Sequence, residues 1–397
     1  MIVVSSPALA KEVIQAHKST FSTRLAPVVA KIFSYDGNEV AMLPYGPDWA
    51  AMRKVLAREV ISNQALDACR ALREGAVLAG IREYRQAIGE MTVLLGRPNV
   101  SDAFPLLTRF DLQGIQGQAT KLAKRFDCII TSVIERRLKD LEGKEGMVFK
   151  DLLQILLQVQ GRADATGRLL SDSFLHFKGL VLDVASGGSD PATTLIEWAM
   201  TELLNDEKVM TKVVQELDQV VGPNNVVEEH HLKELNYLNA VVKETCRLHV
   251  GIMGLTPRLA GQPCTIGGYH IPKGAAVFVN TWAIHRDPQN WAEPLQFRPE
   301  RFLDSCEDGP RFDFMGSSFQ FLPFGSGRRV CVGLNLAERL MKYVLASMLH
   351  SFEWKLPDGE EKLDFSDKLG VVAKKVKPLV AIPFPRRLGK LGCEVQF

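Results

Sequence analysis

One short segment restricts this chain more than any other. Phe324-Gly-Ser-Gly-Arg-Arg-Val-Cys331-Val-Gly333 sets three glycines around a single cysteine and leads straight into the helix-like residues 334–349. A free thiol ionises at about pH 8.5, and a helix N-terminus or a neighbouring cation lowers that value. Backbone N–H groups at a helix start can donate to the sulfur. Glycines let that backbone come close, and Arg329 adds positive charge. Each part of the loop therefore suits a sulfur anion. A buried structural cysteine behind a glycine turn is the competing explanation, and it would prevail if the cysteine stood alone. Cys69, Cys128, Cys246, Cys264, Cys306 and Cys393 complete a total of seven, an odd number with no CxxC spacing. That argues against a disulfide framework and against a cysteine zinc site.

The rest of the chain reads as mainly α with a small β portion. Ser6-Pro7 starts a helix with an N-cap and an N1 proline. Residues 49–60, 127–141, 207–221 and 235–249 read as helices, and 174–205 as one long, largely apolar helix of the kind that belongs in a core. Residues 264–272, 275–280, 352–356 and 374–382 read as short strands, and 1–4 as another. No linker, repeat or low-complexity tract divides the 397 residues, which predicts one domain over 1–397. With 48 basic and 46 acidic residues the net charge is +2, which argues against a general nucleic-acid binder. The longest apolar stretches, such as 180–185, are too short to cross a membrane.

The loop resembles the haem-binding signature FxxGxRxCxG of the cytochrome P450 monooxygenases, matched through Phe324, Gly327, Arg329, Cys331 and Gly333. The resemblance implies a haem b (iron protoporphyrin IX) lying between the long central helix and the helix after the cysteine loop. Cys331 would be the axial metal ligand, and a thiolate trans to oxygen favours O–O cleavage. Companion motifs occur in the family's order. Glu244 and Arg247 stand three apart on a predicted helix, where they can meet, and Arg301 in Phe297-Arg-Pro-Glu-Arg301-Phe302 supplies the family's third, structural charge. Trp49 and Arg53 match a WxxxR motif that reaches a haem propionate in the family, and Arg258 and Arg329 fall where the family directs further cations to propionates. Taken singly, the Glu244–Arg247 pair reads as a surface ion pair, and Trp49–Arg53 as ordinary packing. His285-Arg286-Asp287-Pro288 is read as structural, and the His230-His231 pair as solvated or core.

Two departures from the family stand out. Its oxygen-activation motif has an acid followed by Thr. Here the acid is Asp190 but the next residue is Pro191, which has neither hydroxyl nor N–H. The usual cost of about 3 kcal/mol for a helical proline is partly avoided where a helix is already kinked. Thr193 and Thr194 are the nearest hydroxyls, though two or three positions along a helix change the face. The resemblance is to plant microsomal members. It begins only at Ile2, with no N-terminal anchor, and an internal segment is expected to be missing near 81–86. That loss would leave apolar faces of the bundle exposed.

By resemblance, the chain is an oxidoreductase that hydroxylates a small apolar plant metabolite, a terpenoid or a phenolic. It would use O2 and electrons from an NADPH-dependent flavin reductase docked near Arg328 and Lys342. Residues 174–190, 251–256 and 370–372 would wall the substrate pocket, and the endoplasmic reticulum membrane, cytosolic face, is the expected location. Two other classes stay open: a haem-dependent isomerase or dehydratase that needs no O2 activation, and a truncated, non-catalytic haem-binding protein.

Overall fold

The chain enters through strand β1 (Ile2–Val4). Helix α1 (Pro7–Lys11) follows, capped by the Ser6 hydroxyl, which accepts the Leu9 N–H at 3.4 Å, with Pro7 where no backbone donor is needed. The computed structural model describes residues 1–69, 82–141, 152–159, 174–252, 254–303, 312–359, 362–368 and 370–386. After α1 come β2 (Thr23–Arg24), α2 (Val28–Phe33) and α3 (Pro47–Val55), the last running on into a π-helical turn at Leu56–Val60. Then follow α4 (Arg82–Gly96), α5 (Ile115–Leu141), α6 (Leu152–Val159), α7 (Phe174–Gly187), α8 (Asp190–Asn205), α9 (Glu207–Val220) and α10 (Asn236–Leu248). Strands β3 (Leu255–Leu259), β4 (Cys264–Ile266), β5 (Tyr269–Ile271) and β6 (Ala276–Val279) precede helix α11 (Leu334–Ser351). Four more short strands close the described chain: β7 (Phe352–Lys355), β8 (Asp367–Lys368), β9 (Lys374–Lys375) and β10 (Ile382–Pro385). The predicted class, mainly helical with a small β portion, is what the structure has.

Three apolar clusters hold these elements. Phe33, Met52, Phe126 and Phe177 join α2, α3, α5 and α7. Leu203, Val213, Val241 and Leu345 join α8, α9, α10 and α11. Val4, Phe21, Val277 and Leu322 pack around the four-stranded sheet, whose order is β1-β6-β3-β2. There β1 runs parallel to β6, and β2 lies antiparallel to β3 with Arg24 opposite Arg258. That pairing brings two cations from distant parts of the sequence side by side. Among the described residues no helix is long and apolar enough to cross a membrane.

Two expectations are corrected. Residues 174–205 are two helices, not one: the chain leaves helical geometry at Gly188 and Ser189, and α8 restarts at Asp190. A Cβ on Gly188 would lie 2.6 Å from the Val184 carbonyl oxygen, so only glycine tolerates the break. Residues 374–382 are not a single strand. β9 ends at Lys375, and the chain bends before β10 begins at Ile382. Of the junction expected near 81–86, residue 81 falls outside the described residues, and α4 spans 82–86.

Pro191 occupies the first turn of α8, where a backbone N–H would have no intrahelical partner. Replacing it should therefore matter little to stability. Pro191→Thr is expected to shift the unfolding free energy by less than about 1 kcal/mol in denaturant titration, against about 3 kcal/mol for a proline released from a helix interior.

Candidate active site

The cysteine loop folds as its glycines allow. Gly325 and Gly327 take φ of +72° and +71°, a region that disfavours side chains. A Cβ on Gly327 would also press on Ile14 Cγ2 at 2.9 Å. One turn of 3-10 helix, Gly327–Arg329, then presents Cys331, whose N–H donates to the Phe324 carbonyl at 2.9 Å. The Phe324 ring lies edge-on to Phe314, 5.4 Å away. Gly333 immediately precedes α11, and its N–H points to the Cys331 sulfur. That sulfur is reachable by solvent, yet protein surrounds it closely. Burial pushes the thiol above its ordinary value, while the Gly333 N–H, Arg24 and Arg53 pull the other way.

Four guanidiniums gather on this side of the sulfur. Arg258 and Arg329 are buried, at 4% and 3% exposure, and Arg24 and Arg53 are half-buried. Arg329 is pushed down to about 9, first by burial and then by Arg24, Arg258 and Arg53. Arg258 is lowered to about 10 by burial and by Arg24. Their donors meet neutral carbonyls. Arg329 donates to Ser22 O, Val40 O and Leu43 O at 2.8, 3.1 and 2.8 Å, Arg53 to Val330 O at 2.7 Å, and Arg258 to Phe21 O at 3.3 Å. The Trp49 indole donates to Val40 O at 3.1 Å, and the Arg53 and Arg329 guanidiniums stand 5.5 and 4.4 Å from its ring centre. Thus Trp49, Arg53, Arg258, Arg329 and Cys331 are brought together. Sequence reasoning missed Arg24, whose only signal is its place opposite Arg258 in the sheet.

Glu244, Arg247 and Arg301 also converge. Arg247 grips both Glu244 oxygens at 2.7 Å, and neither side chain is exposed. Arg301 Nε donates to Glu244 Oε1 at 3.0 Å, and the Arg298 N–H reaches the same oxygen at 2.8 Å. Arg247 continues to the carbonyls of His285 and Pro294. The His285 Nε2 accepts the Leu322 N–H at 2.8 Å, and burial holds this imidazole neutral by pushing it down to about 3. His231 serves its own turn by accepting the Glu228 N–H, and His230 pairs with Glu228 at 3.3 Å.

Asp190 opens α8. Its carboxylate pairs with Lys374 at 2.7 Å and accepts the Thr92 hydroxyl at 2.9 Å. Thr193 is exposed and its hydroxyl donates to the carbonyls of Ser189 and Asp190, while Thr194 is buried and donates to the Asp190 carbonyl. Both threonine hydroxyls are thus engaged by nearby backbone carbonyls. The loops at 251 and 370–373 meet, with the Ala373 N–H donating to Gly251 O at 3.1 Å.

Comparison with known proteins gives the family of this fold. The family model described as Cytochrome P450 matches residues 80–382. The chain is 34% identical over 435 residues to flavonoid 3'-monooxygenase of Petunia hybrida, covering 97% of this chain and 84% of that protein. It is likewise 34% identical to tabersonine 16-hydroxylase 2 of Catharanthus roseus over 433 residues, 97% and 83% of the two chains. A zebra fish cytochrome P450 solved with progesterone superposes with a TM-score of 0.77 at 24% identity, covering 96% of this chain and 93% of that one. This chain belongs to the cytochrome P450 family. It is an oxidoreductase of the monooxygenase type, and the family implies a haem-thiolate cofactor, a reductase partner and O2.

The residues present fit such a group. A sulfur donor is accessible, and four guanidiniums with lowered pKa values form a cationic cradle suited to a dianionic ligand. Behind them, Glu244→Ala would leave the Arg247 guanidinium buried and unpaired. Calorimetry or denaturant titration should find it destabilised by about 3–5 kcal/mol.

Proposed function

We propose that the chain hydroxylates a small apolar plant metabolite, a terpenoid or a phenolic, with Cys331 as the axial ligand of a haem b. The observation that carries this reading is the accessible Cys331 sulfur beside Arg24, Arg53, Arg258 and Arg329. Flavonoid 3'-monooxygenase, among the relatives, acts by its name on a flavonoid, which supports the phenolic alternative. When bound, the haem supplies the O–O cleavage chemistry: the substrate C–H and one oxygen atom become an alcohol, and the second oxygen leaves as water with two electrons and two protons. The electrons come from NADPH through a flavin reductase.

The protein's own residues have separate tasks. Cys331 holds the metal, with Phe324, Gly327 and Gly333 shaping its loop. Arg53, Arg258, Arg329 and the Trp49 indole hold the haem carboxylates. Glu244, Arg247 and Arg301 brace the loop from behind. Asp190, paired with Lys374 at the helix break beside Thr193 and Thr194, is the surviving acid of the oxygen-activation motif. The whole of 1–397 acts as one domain on the cytosolic face of the endoplasmic reticulum. Support for a missing internal piece comes from the alignment itself, since 435 aligned residues exceed a chain of 397. Phe104, Leu106, Phe110 and Leu112 are also exposed by 56–89%, as uncovered bundle faces would be.

A second reading, isomerisation or dehydration without O2 activation, is favoured by one feature: Pro191 removes the expected hydroxyl, and Thr193 spends its own on the backbone. Turnover of an organic hydroperoxide without NADPH would select it.

The main test is spectroscopic. The dithionite-reduced, carbon monoxide-treated protein should show the strongly red-shifted Soret band of a thiolate-ligated iron. Cys331→Ala and Cys331→His should both lose it. Retention of that band in either variant would reject the assignment.

A further inference from the structure

A buried side chain on α8 ties together two loops from distant parts of the sequence. The Trp198 indole N–H donates to the Ala373 carbonyl at 2.8 Å, and the Ala373 N–H donates in turn to Gly251 O at 3.1 Å. The circuit then closes on α8. His249, just before Gly251, lays its ring on the Trp198 indole, with 4.1 Å between centres and 9° between planes. Its Nε2 meets Glu202 Oε1 at 2.5 Å, and a nitrogen facing a carboxylate carries the hydrogen. Trp198 and Glu202 stand one turn apart on the same helix face. Phe365 and Lys375 complete the stack. The Phe365 ring lies 6.4 Å from Trp198 and 6.5 Å from His249, and Lys375 Nζ sits 4.5 Å from the Trp198 ring centre. In the first turn of α8, Asp190 holds Lys374, the neighbour of Ala373, at 2.7 Å.

The tied loops adjoin the cysteine loop. A Cβ on Gly251 would lie 3.3 Å from Leu195 Cδ1, so this segment rests directly on α8. The chain then passes into β3, whose first residue, Leu255, reaches the cysteine loop: a Cβ on Gly325 would lie 3.2 Å from Leu255 Cδ2. The same strand carries Arg258 of the cradle.

We propose that Trp198, His249 and Glu202 are positioning residues that set the size of substrate the site accepts, by fixing residues 250–252 against 372–373 beside the cysteine loop. This rests on the reading that Cys331 holds a haem iron there. A single backbone bond between the two loops would leave their spacing soft. The indole fixes Ala373 to α8, and the imidazole fixes the start of the other loop to the same helix. Both walls therefore take their place from one rigid element. A bulky ligand then meets walls already ordered and spends no binding energy on ordering them. The circuit uses neither Cys331 nor the four arginines of the cradle, so it can be cut while the metal site is kept.

Trp198→Phe in the haem-loaded full chain tests this, since it keeps a stacking ring and removes the indole N–H. Two azoles that bind a haem iron through nitrogen serve as probes: imidazole, and 4-phenylimidazole, which adds an apolar ring. The variant should keep the thiolate-type carbon monoxide band, and its Ala373 amide should exchange faster by about tenfold or more. By absorbance titration, 4-phenylimidazole should bind more weakly by about fivefold or more, while imidazole stays within about twofold of the wild type. Equal weakening of both azoles, tighter binding of the larger one, no change in either, or an Ala373 amide that exchanges as before overturns the proposal and leaves the haem-site reading standing. If the wild type itself gives no thiolate-type band, the site reading falls, and the role of the three residues in it falls too. Should Trp198→Phe fail to fold, Glu202→Gln keeps the shape and turns a charge-assisted bond into a neutral one. It should lower the affinity for 4-phenylimidazole relative to imidazole by about twofold or more, and an unchanged ratio would overturn the proposal.

Discussion

The Glu244 carboxylate is the charge on which the cysteine loop depends. It is wholly buried, and such a charge persists only if its oxygens are fully bonded. Arg247, Arg301 and the Arg298 N–H meet that demand. Arg247 must in turn place its remaining donors, and it does so on the carbonyls of His285 and Pro294. His285, kept neutral by burial, has an acceptor nitrogen for the Leu322 N–H. The Leu322 carbonyl takes the Gly325 N–H, and the Phe324 carbonyl takes that of Cys331. A series of hydrogen bonds thus connects a charge on α10 with the backbone of Cys331. Networks of this kind are strong only when complete. Removing one member therefore loosens the loop from a distance.

What could be read from the sequence was whatever lies in short spacing. The loop from Phe324 to Gly333, the Glu244–Arg247 pair and the Trp49–Arg53 pair are local patterns, and the structure assembles each with its expected neighbours. Arg301 was legible through its motif alone. Arg24 was not, because its place follows from β2 pairing with β3, and nothing near residue 24 encodes that register. Lys374 and Thr92 were equally hidden as partners of Asp190, since both come from distant elements. The split of 174–205 was half visible: Gly187, Gly188 and Pro191 mark it, but the apolar pattern continues across and suggests one helix. Strand β10 was misplaced because a two-residue strand and a bend leave no alternation to read.

The arginine cradle sets an electrostatic problem for the thiol. Arg24 and Arg53 are the charges that favour the Cys331 anion, and burial opposes it. An anionic ligand held by those same guanidiniums would spend part of their field on itself, so the cations alone could not keep the sulfur ionised in the loaded state. The Gly333 N–H remains, as a fixed dipole aimed at the sulfur. Beyond it only a bound metal can hold the proton off, since coordination deprotonates a thiol outright. On the proposed function, the positive charge of the cradle would serve the ligand's carboxylates first, and the thiolate state of Cys331 would follow from metal binding. The loop's glycines, which bring a backbone donor rather than a second cation to the sulfur, are consistent with that division of labour.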